Sequence, residues 1–439
     1  MKVILIQPSE RMLVGKKKKY GSIMPPLGLL SLAACVREKC KNVDISIMDY
    51  EVKNGDREPD YSQFDIIGLT GTTVHMPHAR VLIEMIRSVN EQACIIMGGP
   101  HATFAYSSLL NDIPQLDAVI RGEGELSLVE FINKYTSRET LPCVKGIINR
   151  NSTEYDLSDI PMRLDELPMY AYDLINLGKY QLSTHRKSLP MPFASIMTSR
   201  GCPFSCDYCQ TPIMFGNRIR YRSEKLIYEE IKKLQNLYKI ESIVFWDDTF
   251  TANRSYTMNL CDLLEDLKIK WMCNTRVDCV DEVLLKKMKN AGCEVIFFGV
   301  ETFDLQTLLD LNRTTNEEKV RKAFRLCKQL GIKTVAALMI GTPNDELDTI
   351  ESNIDKLISL EPTDVYISIY NITIGSREYE RVVKSGILEE TIDWYNPKLF
   401  FGPPYGLPTV STLSRYQLQQ AQKLAYRKFY GKDKENQFE

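Results

Sequence analysis

Residues 193 to 375 repeat one pattern six times: a short apolar run, a polar turn and a segment of helical periodicity. The runs are Phe193 to Thr198, Ser242 to Trp246, Lys270 to Asn274, Glu294 to Val300, Thr334 to Ile340 and Val365 to Tyr370. Apolar runs this short, each followed by a helix, are buried on both faces and pair in parallel. Six such units predict a partial parallel barrel, in which functional side chains project from the C-terminal strand ends. The polar residues of this stretch fall there: Asp247 and Asp248, Arg276 and Asp278, Glu301, Gly341-Thr342-Pro343, then Asn371 and Thr373. Any one of them suits a cap or a turn. Their shared edge points to a site.

An earlier, less regular series has candidate strands at Val3 to Ile6, Val43 to Met48, Ile66 to Thr70, Ile95 to Met97 and Ala118 to Ile120. It predicts a second α/β domain, a doubly wound, Rossmann-like sheet over 1–150. Its turns Thr70-Gly71-Thr72-Thr73 and Gly98-Gly99-Pro100-His101 follow strand ends, where such folds bind ligands. Residues 151–192 lose the alternation, carry Pro161, Pro168, Pro190 and Pro192, and read as a linker. Residues 376–439 read as a C-terminal loop, Trp394 to Pro408, and a helix near Thr412 to Phe429. By position this tail covers the open end of the barrel or packs beside it.

The 439 residues are 44% hydrophobic and 26% charged, with a net charge of -2, which suits a soluble protein and argues against nucleic acid as the main partner. The basic run Lys16 to Lys19 reads as a solvated loop or as a contact for an anionic cofactor. The N-terminus reads as a strand, and no apolar stretch approaches the length of a membrane span, so a cytoplasmic protein is expected.

Three of the twelve cysteines stand within eight positions, in Cys202-Pro203-Phe204-Ser205-Cys206-Asp207-Tyr208-Cys209, directly after the first barrel strand. In a long cytosolic chain such a group reads as metal binding. Three thiolates suit a 4Fe-4S cluster with one iron left open for a further ligand. Zinc is the competing reading. It generally needs a fourth protein ligand, and none of the four histidines, His75, His78, His101 and His185, is near this loop in sequence.

The C-x3-C-x2-C spacing, with Tyr208 before the last cysteine, resembles the radical S-adenosylmethionine (SAM) superfamily. Pro25-Pro26-Leu27-Gly28-Leu29, Gly98-Gly99-Pro100-His101 and Arg121-Gly122-Glu123-Gly124-Glu125 add a resemblance to the cobalamin-binding domain of its B12-dependent class. Phe245-Trp246-Asp247-Asp248-Thr249-Phe250 and Leu311 to Thr315 look like that class too. The resemblance runs from residue 1 to about 375.

It implies a cobalamin-binding domain, a partial (βα)6 TIM-type barrel and a short helical tail. It implies that Cys202, Cys206 and Cys209 hold the cluster, that Asp247 and Asp248 lie near the SAM amino group, and that Arg276 and Glu301 lie near its ribose or carboxylate. Tyr208, Gly341 and Arg313 complete the implied SAM set, with Arg313 at the carboxylate or, alternatively, on a helix surface. Thr70, Gly71, Thr72, Gly98, Gly99, Pro100 and His101 would cradle cobalamin. In one respect the chain departs from related folds: where cobalamin mutases carry a D-x-H-x-x-G loop after the first strand, it has Gln7-Pro8-Ser9-Glu10.

The activity implied is methyl transfer to an unactivated carbon of a small molecule by way of a 5'-deoxyadenosyl radical, with flavodoxin or ferredoxin as electron donor. Cyclisation, oxidation or rearrangement is the nearest rival. A radical SAM enzyme whose first domain no longer binds cobalamin is another, and a non-catalytic iron-sulfur carrier or sensor is the most distant. Tyr370, Asn371, Thr373, Trp394 and Tyr405 are candidates for the substrate lining.

Overall fold

The computed structural model describes residues 1–10, 22–52, 57–183, 189–387, 392–396 and 410–431. Lys16 to Lys19, His185, Tyr405 and the loop positions 397–408 lie outside the described residues. The chain forms two compact units. One is built on Pro25–Tyr180 with 1–10 and 392–396, the other on the described residues of Gln181–Glu390 with 22–24 and 410–431.

In the first unit Lys2–Gln7 (β1), Asp44–Asp49 (β2), Ile66–Thr70 (β3), Cys94–Gly98 (β4) and Ala118–Ile120 (β5) are parallel in the order β2-β1-β3-β4-β5. Ile147–Ile148 (β6) adds an antiparallel edge strand that the sequence pattern did not predict. Val3, Leu5, Ile66, Ile96 and Phe131 belong to the buried core of this sheet and its helices. Between β1 and β3 the strand order reverses, so the loops that leave their C-terminal ends diverge and open a crevice.

Residues 151–180, read from the sequence as part of a linker, group with this unit. The Ser158 N–H donates to the Arg121 carbonyl at 2.8 Å, and the Tyr180 hydroxyl donates to Asp49 at 2.9 Å. Prolines there end regular structure without ending packing.

In the second unit Phe193–Ile196 (β7), Ser242–Phe245 (β10), Lys270–Arg276 (β11), Cys293–Glu301 (β12), Lys333–Ile340 (β13) and Asp364–Ile369 (β14) are parallel and adjacent in chain order. Ser199–Arg200 (β8) and Arg220–Tyr221 (β9) form a small antiparallel ribbon that brackets the cysteine loop. Helices follow the strands, and side chains cap several of their N-termini. Asn253, Asp281 and Asn316 accept from the N–H groups of Tyr256, Leu284 and Lys319, satisfying donors that the helix leaves open. Phe245, Phe250 and Trp271 pack as an aromatic group, with centroids 4.8 to 5.4 Å apart.

The last helix, Arg415–Tyr430, runs along β14. Gln422 donates to the Ile367 carbonyl at 2.7 Å, and the Ile367 N–H donates to the Tyr426 hydroxyl at 3.1 Å. These bonds satisfy an edge strand that would otherwise be open to pairing.

Candidate functional site

The cysteine loop starts from a fixed base. Asp247, just past β10, is fully buried, and its carboxylate accepts from the Thr198 N–H at 3.1 Å, the Thr198 hydroxyl at 2.8 Å and the Ser199 hydroxyl at 2.5 Å. Gly201 then turns the chain with φ +97°. A Cβ there would lie 2.9 Å from the Arg218 carbonyl oxygen and 3.0 Å from that of Gly216, so only glycine fits.

Cys202 and Cys206 are buried and Cys209 is half-buried. Burial pushes the thiols of Cys202 and Cys209 up, so their thiolates call for a positive partner. Thr249 Oγ1 lies 3.6 Å from the Cys202 sulfur, and Arg276 Nη1 points to the Cys206 sulfur at 3.7 Å. A single tetrahedral zinc would bring thiolates to about 3.8 Å of one another. Among the described residues the cysteines do not form a group with all ligand atoms within 4.8 Å, a spread that suits a multi-iron cluster better than one ion.

Around the loop stands an ionic rim. Arg276 makes a two-pronged pair with Asp278 at 2.8 and 2.6 Å, and its guanidinium lies 3.7 Å from the Phe204 ring centroid. Arg313 donates to the Tyr208 hydroxyl at 2.9 Å, the Gly299 carbonyl at 2.8 Å and Glu301 at 3.3 Å. It is no helix-surface charge, since it is buried. Burial opposes its charge, but Glu301 and Tyr208 hold its pKa above the ordinary value. Glu301 sits at a register shift with φ +69°, which turns its carboxylate back over Gly299. A Cβ on Gly299 would clash with it at 2.4 Å, so that glycine makes room for the ion pair.

The two adjacent aspartates part company. Asp247 serves the loop as described: Oδ1 takes the three bonds from Thr198 and Ser199, and Oδ2 shares the Thr198 N–H at 3.2 Å. Asp248 accepts from Thr211 at 2.9 Å, and burial pushes its pKa up to about 6. Gly341 takes φ +86°, and its N–H donates to Asp345 at 2.7 Å. Asp345, which the sequence pattern did not single out, also accepts from the Thr342 N–H at 3.0 Å and so closes this turn. Buried polar atoms without a hydrogen-bond partner include Asn274 Oδ1, Thr315 Oγ1 and the Tyr370 hydroxyl. Asn274 lies on β11, and the other two follow β12 and β14 in the chain. Such atoms suit the polar groups of a nucleoside.

In the first unit the loops after β3 and β4 lock together. Gly99 takes φ +92°, and a Cβ there would lie 2.6 Å from Thr70 Oγ1 and 3.0 Å from the Gly71 nitrogen. The His101 N–H donates to the Gly71 carbonyl at 3.3 Å, and Pro100 opens the helix Pro100–Phe104. Thr72 pairs with His75 Nδ1 at 2.9 Å. At Gly98 a Cβ would meet Ile120 at an ordinary 3.7 Å, so packing alone does not demand glycine there.

His101 Nδ1 lies 3.1 Å from Thr73 Oγ1, while Nε2 is buried with no partner. Burial pushes its pKa down to about 3, so the ring is neutral. Trp394 packs edge-on against it with centroids 5.9 Å apart. Glu10, Glu51 and His75 also gather at this end of the sheet, with ligand atoms within 4.8 Å. The Thr72 N–H donates to His75 Nδ1 at 3.2 Å, which leaves the ring proton on Nε2, 3.9 Å from Glu51. At that distance the two groups are neighbours and not hydrogen-bonded. The sequence did not flag the group of Glu10, Glu51 and His75, because its members lie on three separate loops.

Comparison with known proteins bears on both units. The family model described as the radical SAM superfamily matches residues 196–357, and that of the B12 binding domain matches 17–132. An uncharacterized methyltransferase of Pyrococcus horikoshii is 31% identical over 406 residues, 90% of this chain and 85% of that one. The chain belongs to the cobalamin-dependent radical SAM family.

A second relative, the anaerobic magnesium-protoporphyrin IX monomethyl ester cyclase of Rubrivivax gelatinosus, is 29% identical over 65% of this chain and 53% of its own. The fold is that of the radical SAM methyltransferase TsrM from Kitasatospora setae, a structure with cobalamin and a 4Fe-4S cluster bound. The TM-score is 0.68 at 17% identity, over 89% of this chain and 76% of that one.

The cofactors of this radical SAM family are a 4Fe-4S cluster, SAM and cobalamin, and the residues fit them. The three spread thiols suit the cluster, the unpartnered polar atoms of the barrel suit SAM, and in the first unit His101 Nε2 is a buried polar atom left without a partner. After β1, where cobalamin mutases carry a ligating histidine, the Ser9 N–H donates to His78 Nδ1 at 2.9 Å. That place is built from a different histidine, which already accepts a hydrogen bond.

Proposed function

We propose that this radical SAM enzyme methylates an unactivated carbon of a small molecule. The observation that carries the reading is the pairing, in one chain, of a three-thiol loop at a barrel strand end with a sheet of the B12-binding kind. When bound, the cluster and SAM supply a carbon-centred radical, and cobalamin supplies a methyl carrier.

The chain's own residues orient and exclude. Cys202, Cys206 and Cys209 hold the iron, and Arg276 sets a positive charge beside the Cys206 sulfur. Arg313 and Glu301 form a fixed ion pair beside Tyr208, a preorganised polar wall that needs no rearrangement as charge develops. Asp248, with one oxygen held by Thr211, is the carboxylate with capacity left for the SAM amino group. Gly341 lets the backbone pass close to adenine, and Thr70, Gly71, Thr72, Gly98, Gly99, Pro100 and His101 line the cobalamin side.

Electrons come from a flavodoxin or ferredoxin. Among the described residues no helix is long and apolar enough to cross a membrane, and all the cysteines are free thiols. Free thiols and a reducible cluster suit the cytoplasm.

The similarity to the cyclase favours a second reading, ring formation with the same cofactors. Product analysis separates them. Methyl transfer gives a product heavier by one CH2 unit and releases S-adenosylhomocysteine together with 5'-deoxyadenosine; ring closure gives 5'-deoxyadenosine without S-adenosylhomocysteine.

A further inference from the structure

Arg415 differs from three buried arginines of the second unit. Arg222, Arg276 and Arg313 each pair with a carboxylate, of Glu230, Asp278 and Glu301 respectively. Arg415 is half-buried, and among the described residues its guanidinium donates only to a neutral oxygen, Asn371 Oδ1, at 2.8 Å. Its Nε is buried with no partner. Burial pushes its pKa down, yet arginine stays charged in any protein setting. A guanidinium taken out of water without an anion is costly, and its planar fork suits carboxylate and phosphate.

Its position is also fixed. Arg415 opens the helix Arg415–Tyr430, which Gln422 and Tyr426 bind to Ile367 of β14. One turn on, Leu418 packs at Gly341, so the start of this helix lies where the loops after β13 and β14 leave the sheet. Asn371 is in the second of those loops. The Tyr370 hydroxyl, from the same loop as Asn371, is buried without a partner. A cation at the head of this helix and an unfilled hydroxyl from the loop after β14 therefore lie at the functional edge of the barrel.

We propose that Arg415 anchors an anionic group, a carboxylate or phosphate, of the substrate. The word substrate rests on the methyltransferase reading; the anion site itself does not. SAM also carries a carboxylate, so the test must tell the two sources apart.

The test uses the anaerobically reconstituted protein, with inorganic phosphate and succinate as probes in binding titrations, and with SAM titrated separately. The expected result is that at least one probe binds the wild-type protein and that Arg415→Gln weakens it about tenfold, the loss of one charge-assisted contact. Arg415→Lys falls between, and SAM affinity and SAM cleavage stay unchanged. The proposal is overturned if neither probe binds, if Arg415→Gln binds as well as wild type, or if the variant loses SAM affinity, since the anion would then be SAM's own. Should Arg415→Gln not fold, phenylglyoxal labelling of the wild-type protein decides: phosphate or succinate protects Arg415 if the proposal holds, and its modification at an unchanged rate overturns it. A protein that binds the probe yet yields no methylated product would refute the methyltransferase reading alone.

Discussion

Arg313 Nη1 lies 2.9 Å from the Tyr208 hydroxyl, tying the residue before Cys209 to the ion pair at the end of β12. The contact joins positions 105 residues apart and holds the cluster loop to the rim. Tyr208→Phe is expected to keep the fold and the iron. In urea unfolding, a double-mutant cycle with Arg313→Met should show a coupling of about 1.5–3 kcal/mol, the range for a hydrogen bond to a charged donor. Arg313→Gln should destabilise by about 3–5 kcal/mol, because Glu301 then keeps a shielded charge with no cation. Additive single effects would mean that the two side chains do not act together.

The three thiols are not interchangeable with the cysteine nearest them in role. Cys279 follows β11, shares the Arg276–Asp278 neighbourhood and is half-buried, as Cys209 is. Alanine at Cys202, Cys206 or Cys209 should abolish both the iron and sulfide content and the release of 5'-deoxyadenosine. Cys279→Ala should retain the full iron content. Loss of iron in that variant would make Cys279 a ligand and break the three-thiol assignment.

The strands were legible because apolar runs buried on both faces need no long-range information. The runs at Ile66–Thr70 and Ala118–Ile120 appear with the bounds the pattern predicts. Ile147–Ile148 was not legible, since two residues carry no period. The site was half legible: the cysteine spacing is local, but the division of labour between Asp247 and Asp248 is not. Which of two adjacent carboxylates faces inward depends on where β7 delivers Thr198 and Ser199, a tertiary fact. Arg415 lies 44 residues from Asn371, and no local motif announces their contact. Likewise, Trp394 meets His101 only because 392–396 return to the first unit.

Gly341 combines two demands, a left-handed backbone and a close neighbour. Its φ is +86°, and an added Cβ would lie 2.7 Å from Leu418 Cδ1. Gly341→Ala should therefore destabilise by about 1–2 kcal/mol for the backbone alone, plus the displacement of a fully buried leucine. Thermal unfolding of Gly341→Ala in a Leu418→Ala background separates the two parts. There the overlap is gone, and the alanine at 341 should cost only the backbone share. An equal cost in both backgrounds would show that the last helix is not held against this loop.

Asp49, at the end of β2, gives the first unit a pH dependence of known sign. Its carboxylate accepts from the Glu51 N–H and from the Tyr180 hydroxyl, both at 2.9 Å, and burial nevertheless pushes its pKa from 3.8 up to about 6. The folded state therefore holds this proton more tightly than the unfolded chain. Below the unfolded value both states are protonated and no penalty exists. As pH rises from about 4 to about 6 the unfolded chain ionises first, and stability falls. Above the folded value the penalty is constant at about 3 kcal/mol, two pKa units' worth. Asp49→Asn removes the titration while keeping an oxygen for the Glu51 N–H, so its urea-unfolding free energy should be flatter than wild type across that window and relatively higher at neutral pH. Parallel curves for the two proteins from pH 4 to 7 would show that the shielding of Asp49 does not shift its proton affinity.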